Sequence, residues 1–157
     1  MKERKPAIEG WFTMDPDAPA LLGTRCAECG SYFFPAERRY CRNPHCASEN
    51  FDDVELSRRG TVWSYSTNHY EPPAPYMAPD PFVPYTVAAV ELAEERIVVM
   101  GQVVGDPRDL SVGSEVELVL DTLFEDDEAE HMVWKWRPLA GVGARGGPAT
   151  GSAEEVR

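Results

Sequence analysis

Positive charge is what this chain of 157 residues has least of: 15 Lys and Arg stand against 27 Asp and Glu, a formal net charge of −12. A surface so acidic repels phosphate backbones and anionic headgroups, which argues against non-specific binding to nucleic acid or to a membrane surface. No apolar run approaches the ~18 residues that span a bilayer. The opening residues Met1 to Pro6 are charged and lack the apolar stretch of a secretory leader, so a cytoplasmic protein is expected. Histidine is scarce too, with only His45, His69 and His131, spread widely along the chain. Of these, His69 is the one to test for proton transfer. The glycines form neither a phosphate-binding loop nor a dinucleotide fingerprint, and no serine sits in a nucleophile motif. The carboxylates fall mostly in runs that suit solvated faces. No catalytic residue is therefore assigned.

Cysteine is also scarce, but its four copies are concentrated. Two residues separate Cys26 from Cys29, four separate Cys41 from Cys46, and eleven lie between the pairs. Paired thiolates at such spacings can close a tetrahedron around one ion, and zinc suits four sulfurs. Gly30 supplies the positive φ that a tight turn after the first pair needs. Pro44 widens the second turn and has no N–H to offer a sulfur. His45 is a second choice for the fourth ligand, and iron in a redox centre also fits four sulfurs. With no other cofactor motif nearby, a structural zinc held by Cys26, Cys29, Cys41 and Cys46 is the expectation.

The cysteines define a ribbon over residues 21–56. It is too small for a core of its own, so metal binding is expected to supply most of its folding free energy. Its Arg25, Arg38, Arg39 and Arg42 outnumber Glu28 and Glu37. They form a local basic patch, either a solvated face or a contact for an acidic partner or phosphates. Residues 1–20 form an arm in which Ile8, Trp11 and Phe12 match helical spacing over one turn before Asp15-Pro16 breaks it. An arm so short must pack Trp11 and Phe12 on its neighbour or on another protein.

From residue 57 to 140 the hydrophobic period is two. Strands are predicted over 60–67, 85–92, 96–104, 115–120 and 131–137, the second and third joined by a hairpin turn at Ala93-Glu94-Glu95. Val116, Leu118 and Leu120 share one face, and Met132, Trp134 and Trp136 another. Trp63 alternates with its neighbours and counts with Trp134 and Trp136 among the interior rings. Five short strands with no room for crossover helices predict a closed OB-fold barrel. Residues 68–84 form a long proline-rich loop carrying His69, Tyr70, Tyr76, Met77 and Phe82. Pre-ordered by its prolines, it loses little entropy on clamping a ligand or partner. Glu125 to Glu130 read as a solvated hairpin tip. Residues 141–157, rich in Gly and Ala, read as a disordered tail.

Leu21-Leu22-Gly23-Thr24-Arg25-Cys26-x-x-Cys29-Gly30, then Phe33-Phe34-Pro35, the second cysteine pair and Gly60-Thr61-Val62-Trp63-Ser64-Tyr65 carry a resemblance. In this order they resemble the zinc-ribbon/OB-fold family first catalogued as a domain of unknown function (number 35), over roughly residues 7 to 139. Members of that family accompany thiolase-like enzymes acting on acyl-CoA thioesters, including thiolases, archaeal hydroxymethylglutaryl-CoA synthase and retro-aldolases of steroid side-chain degradation. The four-residue gap between Cys41 and Cys46 departs from the family's usual two.

The resemblance implies a non-catalytic subunit docked on a thiolase-fold partner, two copies of each, with the barrel and long loop helping to form the acyl-CoA path. The aromatic surface then supplies the contacts: Trp11 and Phe12 on the arm, Tyr32, Phe33 and Phe34 on the ribbon, and His69, Tyr70, Tyr76 and Phe82 on the loop. Two rival classes are a single-stranded nucleic-acid module, which the acidic charge disfavours, and a rubredoxin-like electron carrier.

Overall fold

The computed structural model describes residues 1–139, so the tail predicted over 141–157 lies outside the described residues. The fold is mainly β. Strand β1 spans Glu3–Pro6. Strands β2 (Leu22–Cys26), β3 (Tyr32–Phe33) and β4 (Phe51–Glu55) form a three-stranded antiparallel sheet in the order β3-β2-β4. The remaining strands are β5 (Arg59–Asn68), β6 (Tyr85–Leu92), β7 (Val98–Val103), β8 (Glu115–Glu125) and β9 (Ala129–Pro138). Pairings β5–β6, β6–β7, β8–β9 and β5–β8 are antiparallel, and a short parallel pairing of β7 with β9 closes the barrel. Closure in this manner removes most open edges from a small sheet. It is the five-stranded OB-fold, with β1 added in parallel on the outside of β9.

Alternation places the core. Along β6, Thr86, Ala88, Val90 and Leu92 are all buried, while the residues between them are half-buried. Val116 and Leu118 from β8 and Trp134 and Trp136 from β9 meet them inside. Trp136 is fully buried and lies on Gly101 of β7, where an added Cβ would sit 2.9 Å from the indole. The same cluster takes in Phe12, Leu21 and Leu56, so the ribbon's base and the barrel share one core. Thr24 is fully buried and exchanges two 3.0 Å hydrogen bonds with the backbone of Glu37, tying β2 to the loop that leads to the second cysteine pair.

Three expectations are corrected. Residues 7–20 form no helix: Phe12 bridges to Leu21, and the Asp15 side chain accepts the N–H groups of Asp17 and Ala18 in a turn. Backbone pairing with the start of the ribbon wins over a single helical turn, which costs more to nucleate than one bond returns. Trp63 is not an interior ring but 66% exposed: Val62 is the inward residue of this stretch, so its neighbour faces out, and a β-bulge between Val62 and Ser64 leaves Trp63 as the extra, unpaired residue. The acidic tip is not simply solvated. The β8–β9 hairpin runs on to Glu125 and resumes at Ala129, and the N-terminal segment pairs with its two sides through Lys2–Glu125 and Arg4–Glu130, while Asp127 and Glu128 stay exposed at the tip. Asp126 accepts the N–H groups of Glu128 and Ala129 and pairs with His131, whose ring stacks on Phe124. The His131 ring, foremost, and those N–H groups hold the Asp126 carboxyl down to about 2.

Candidate metal centre and docking surface

Two knuckles bring the four thiols together. In the first, the Gly30 N–H donates to the Cys26 carbonyl, and Gly30 takes the left-handed φ of 75° that its lack of a Cβ permits. In the second, the Cys46 N–H donates to the Asn43 carbonyl while the Asn43 side chain accepts the His45 N–H. That side-chain bond accommodates the longer gap around Pro44. Behind the second knuckle, the Glu37 carboxylate gathers the Arg39 and Arg38 N–H groups and the Arg42 guanidinium, which hold it below the usual carboxylate range.

The four Sγ atoms lie within 4.8 Å of one another. Cys26 and Cys46 are 3.8 Å apart, and Cys29 and Cys41 are 3.5 Å apart. A tetrahedron with zinc–sulfur bonds of about 2.3 Å needs sulfurs about 3.8 Å apart, so the donor set fits the ion. The thiols also differ electrostatically. The Ser31 hydroxyl and N–H beside Cys29 bring its thiol down to about 6, whereas burial, foremost, pushes Cys41 up to about 12. Four such groups become thiolates together only with a cation among them. His45 is exposed and stands outside the cluster, in which Cys46 completes the set of four thiols.

Of the ribbon arginines, Arg38 pairs with Asp53 and Arg42 with Glu37, which neutralises half of the basic patch. Arg25 lies over the Tyr32 ring at 5.7 Å. The aromatic residues expected at a contact surface divide. Phe12 is buried, 5.7 Å from Trp134, which withdraws its ring from the exposed surface expected for it. Trp11 and Phe34 are half-buried and pack edge to face on each other; Phe34 also meets Trp134 edge-on and Trp11 stacks on it, forming the seam between ribbon and barrel. Phe33 packs on Phe51 within the ribbon. Tyr76 stacks on Tyr85 at 5.6 Å, and Phe82 meets the same ring edge-on. His69 and Tyr70 are exposed.

The long loop and the β8–β9 hairpin bound a groove of about 440 Å³, lined by Tyr76, Met77, Val83, Phe124 and Lys135 among others. Burial raises the Tyr76 hydroxyl above its usual value, and Lys135 is held by Asp121 at 2.9 Å and the Thr122 carbonyl at 3.1 Å. Sequence reasoning missed the exposed Trp63 and Tyr65 on β5 and Met100 on β7. Alternation carries the signal: once Val62 and Val99 face inward, their neighbours Trp63 and Met100 must face out.

A four-cysteine ribbon carried on a five-stranded OB barrel places the chain in the zinc-ribbon/OB-fold class. Residues 15–52 match the family described as the ChsH2 rubredoxin-like zinc ribbon domain, and residues 53–121 match the ChsH2 C-terminal OB-fold domain. A DUF35 domain-containing scaffold protein of Methanocaldococcus jannaschii is 36% identical over 76% of this chain and 82% of its own length. The benzoylsuccinyl-CoA thiolase subunit BbsA of Geobacter metallireducens is 34% identical over 88% of this chain and 92% of its own. Among solved structures, the Ltp2-ChsH2(DUF35) aldolase matches with a TM-score of 0.59 at 34% identity, covering 85% of this chain and 98% of that one. The chain belongs to the DUF35 family, and the ion its four thiolates are built for is a structural zinc. Among the described residues no helix is long and apolar enough to cross a membrane.

Proposed function

We propose that the chain is a non-catalytic zinc-binding accessory subunit of a thiolase- or aldolase-class acyl-CoA enzyme. It docks on a thiolase-fold partner, two copies of each per assembly, and helps to form the acyl-CoA path in cytoplasmic lipid or steroid catabolism. The observation that carries this reading is the match to a DUF35 chain solved within an aldolase, nearly the whole of which this chain covers. The thiolase-subunit relative supports the same partner class. In this reading the ribbon (21–56) and arm (1–20) brace the barrel (57–140), and the groove beside Tyr76 and Val83 faces the acyl-CoA entrance. Its apolar wall of Tyr76, Met77, Val83 and Phe124 suits a thioester chain.

Co-purification of the tagged chain from native lysate, followed by identification of the bound protein, tests it. A thiolase-fold subunit recovered in equal amount is expected. Recovery of the chain alone, or of a protein of another class in equal amount, overturns it.

A further inference from the structure

Three of the open strand edges among the described residues are guarded. The free side of β1 carries Glu3, Arg4 and Lys5 and ends in Pro6, β4 carries Asp52, Asp53 and Glu55, and β3 is two residues long. Short length, charge and proline are the means by which edges are kept from pairing with other chains. The outer half of β5 has none of these. From Val62 to Asn68 it carries no charged residue, in a chain whose net charge is −12.

That half-strand is also paired on one side only. Strand β8 covers β5 from Arg59 to Thr61, and Val62 makes the last bonds on that side, to Ser114 and Gly113. Beyond the bulge, Ser64 pairs with Ala89, Ser66 with Val87 and Asn68 with Tyr85. Leu92 already bonds towards β7, so alternation turns Ala89, Val87 and Tyr85 towards β5, and with them Ser64, Ser66 and Asn68 towards β6. The N–H and C=O groups of Tyr65 and Thr67 therefore point to the open side. Among the described residues nothing bonds to them there. Trp63, 66% exposed, and Tyr65, 41% exposed, flank this edge.

We infer that the β5 edge at Tyr65 and Thr67 is a strand-acceptor site, which an extended, uncharged segment of the partner subunit extends by one strand. This inference rests on the proposed function for the identity of the partner. Main-chain bonds would give most of the affinity, with the exposed Trp63 ring packing on the side chains of the added strand and the Tyr65 ring at its rim. A second copy of this chain is the poorer occupant, because two bodies each at −12 repel.

The test compares Tyr65→Pro with Tyr65→Thr in the full chain, binding the thiolase-fold subunit identified by co-purification. Proline removes the open-side N–H but none of the bonds to β6, and threonine removes the ring while keeping the N–H. Tyr65→Pro should weaken binding by about tenfold or more, and Tyr65→Thr by less than about threefold. Hydrogen exchange at residues 65 and 67 should be fast in the free chain and slow in the complex. Equal binding by Tyr65→Pro and the wild type overturns the acceptor site but leaves the accessory role standing. Slow exchange in the free chain also overturns it, because the chain or its own copy then covers the edge. Failure of the wild type to bind any thiolase- or aldolase-class subunit overturns both.

Discussion

The ribbon and the barrel are sheets of similar local chemistry held together by different forces. In the barrel, alternate residues of β6, β8 and β9 meet in a shared apolar interior centred on Trp136, and closure leaves few backbone groups to water. In the ribbon, β2, β3 and β4 supply only Thr24 and Cys26 as fully buried side chains of any size, so four sulfurs take the place of a core. The comparison shows how a small module is added to a domain without a second hydrophobic core. A metal fixes its loops, and its base borrows the barrel's interior through Leu21, Leu56 and Phe34.

The largest effect should come from breaking the metal centre. Cys29→Ser, or a strong chelator, should remove zinc and open residues 26–51 to protease, while the barrel keeps a cooperative thermal transition. The apparent binding energy forfeited is of order 10 kcal/mol. Metal analysis with limited proteolysis reads both outcomes, and full zinc occupancy in Cys29→Ser contradicts the ligand set. Because Cys41 holds its proton at neutral pH in the metal-free site, zinc uptake should release protons. Apparent affinity should then rise with pH, which calorimetry in two buffers of different ionisation enthalpy would detect.

Next in size is the barrel's own core. Trp136→Ala should cost about 3–5 kcal/mol in denaturant unfolding, because no neighbour can refill the space of a fully buried indole. Zinc content should survive that change as long as the chain remains folded. Smaller again is Gly60→Ala, whose new Cβ would meet the Glu91 carbonyl and a Val90 methyl at 2.5 Å. Overpacking of this kind costs about 1–3 kcal/mol, read as a lowered denaturant midpoint with unchanged slope. The smallest effect on stability belongs to the exposed indole of Trp63. Trp63→Ala should change unfolding by no more than about 0.5 kcal/mol, since the ring is mostly in water. A large loss of stability there would return Trp63 to the core and dissolve the contrast with Trp136.

Much of this architecture was legible in the sequence because it rests on short-range pattern. Cysteine spacing marked the metal centre, and period-two alternation placed Val116, Leu118, Met132, Trp134 and Trp136 on the interior face, where the structure has them. Features decided by distant contacts were not legible. Trp11 and Phe12 fit a helical turn locally, yet the Phe12–Leu21 bridge and the Trp134 ring fix their backbone and packing. The bulge at Trp63, which shifts the pairing of Ser64 to Asn68 by one residue, depends on the register of β5 against β6, which no window of β5 alone contains. Strand β1 was passed over because its four residues gain a partner only from β9, more than a hundred residues along the chain. The same pairing gives Glu125 and Glu130 cationic partners, while Asp127 and Glu128 remain solvated as the run of carboxylates suggests.

The claim on which the rest depends is that this subunit acts by docking and carries no chemistry of its own. Acyl-CoA turnover should be measured with the purified chain, with its co-purified thiolase-fold partner, and with the two recombined. No turnover by the chain alone, and restored or raised turnover on recombination, is the expected result. Cleavage or condensation of an acyl-CoA by the isolated chain, lost in His69→Ala, would contradict it.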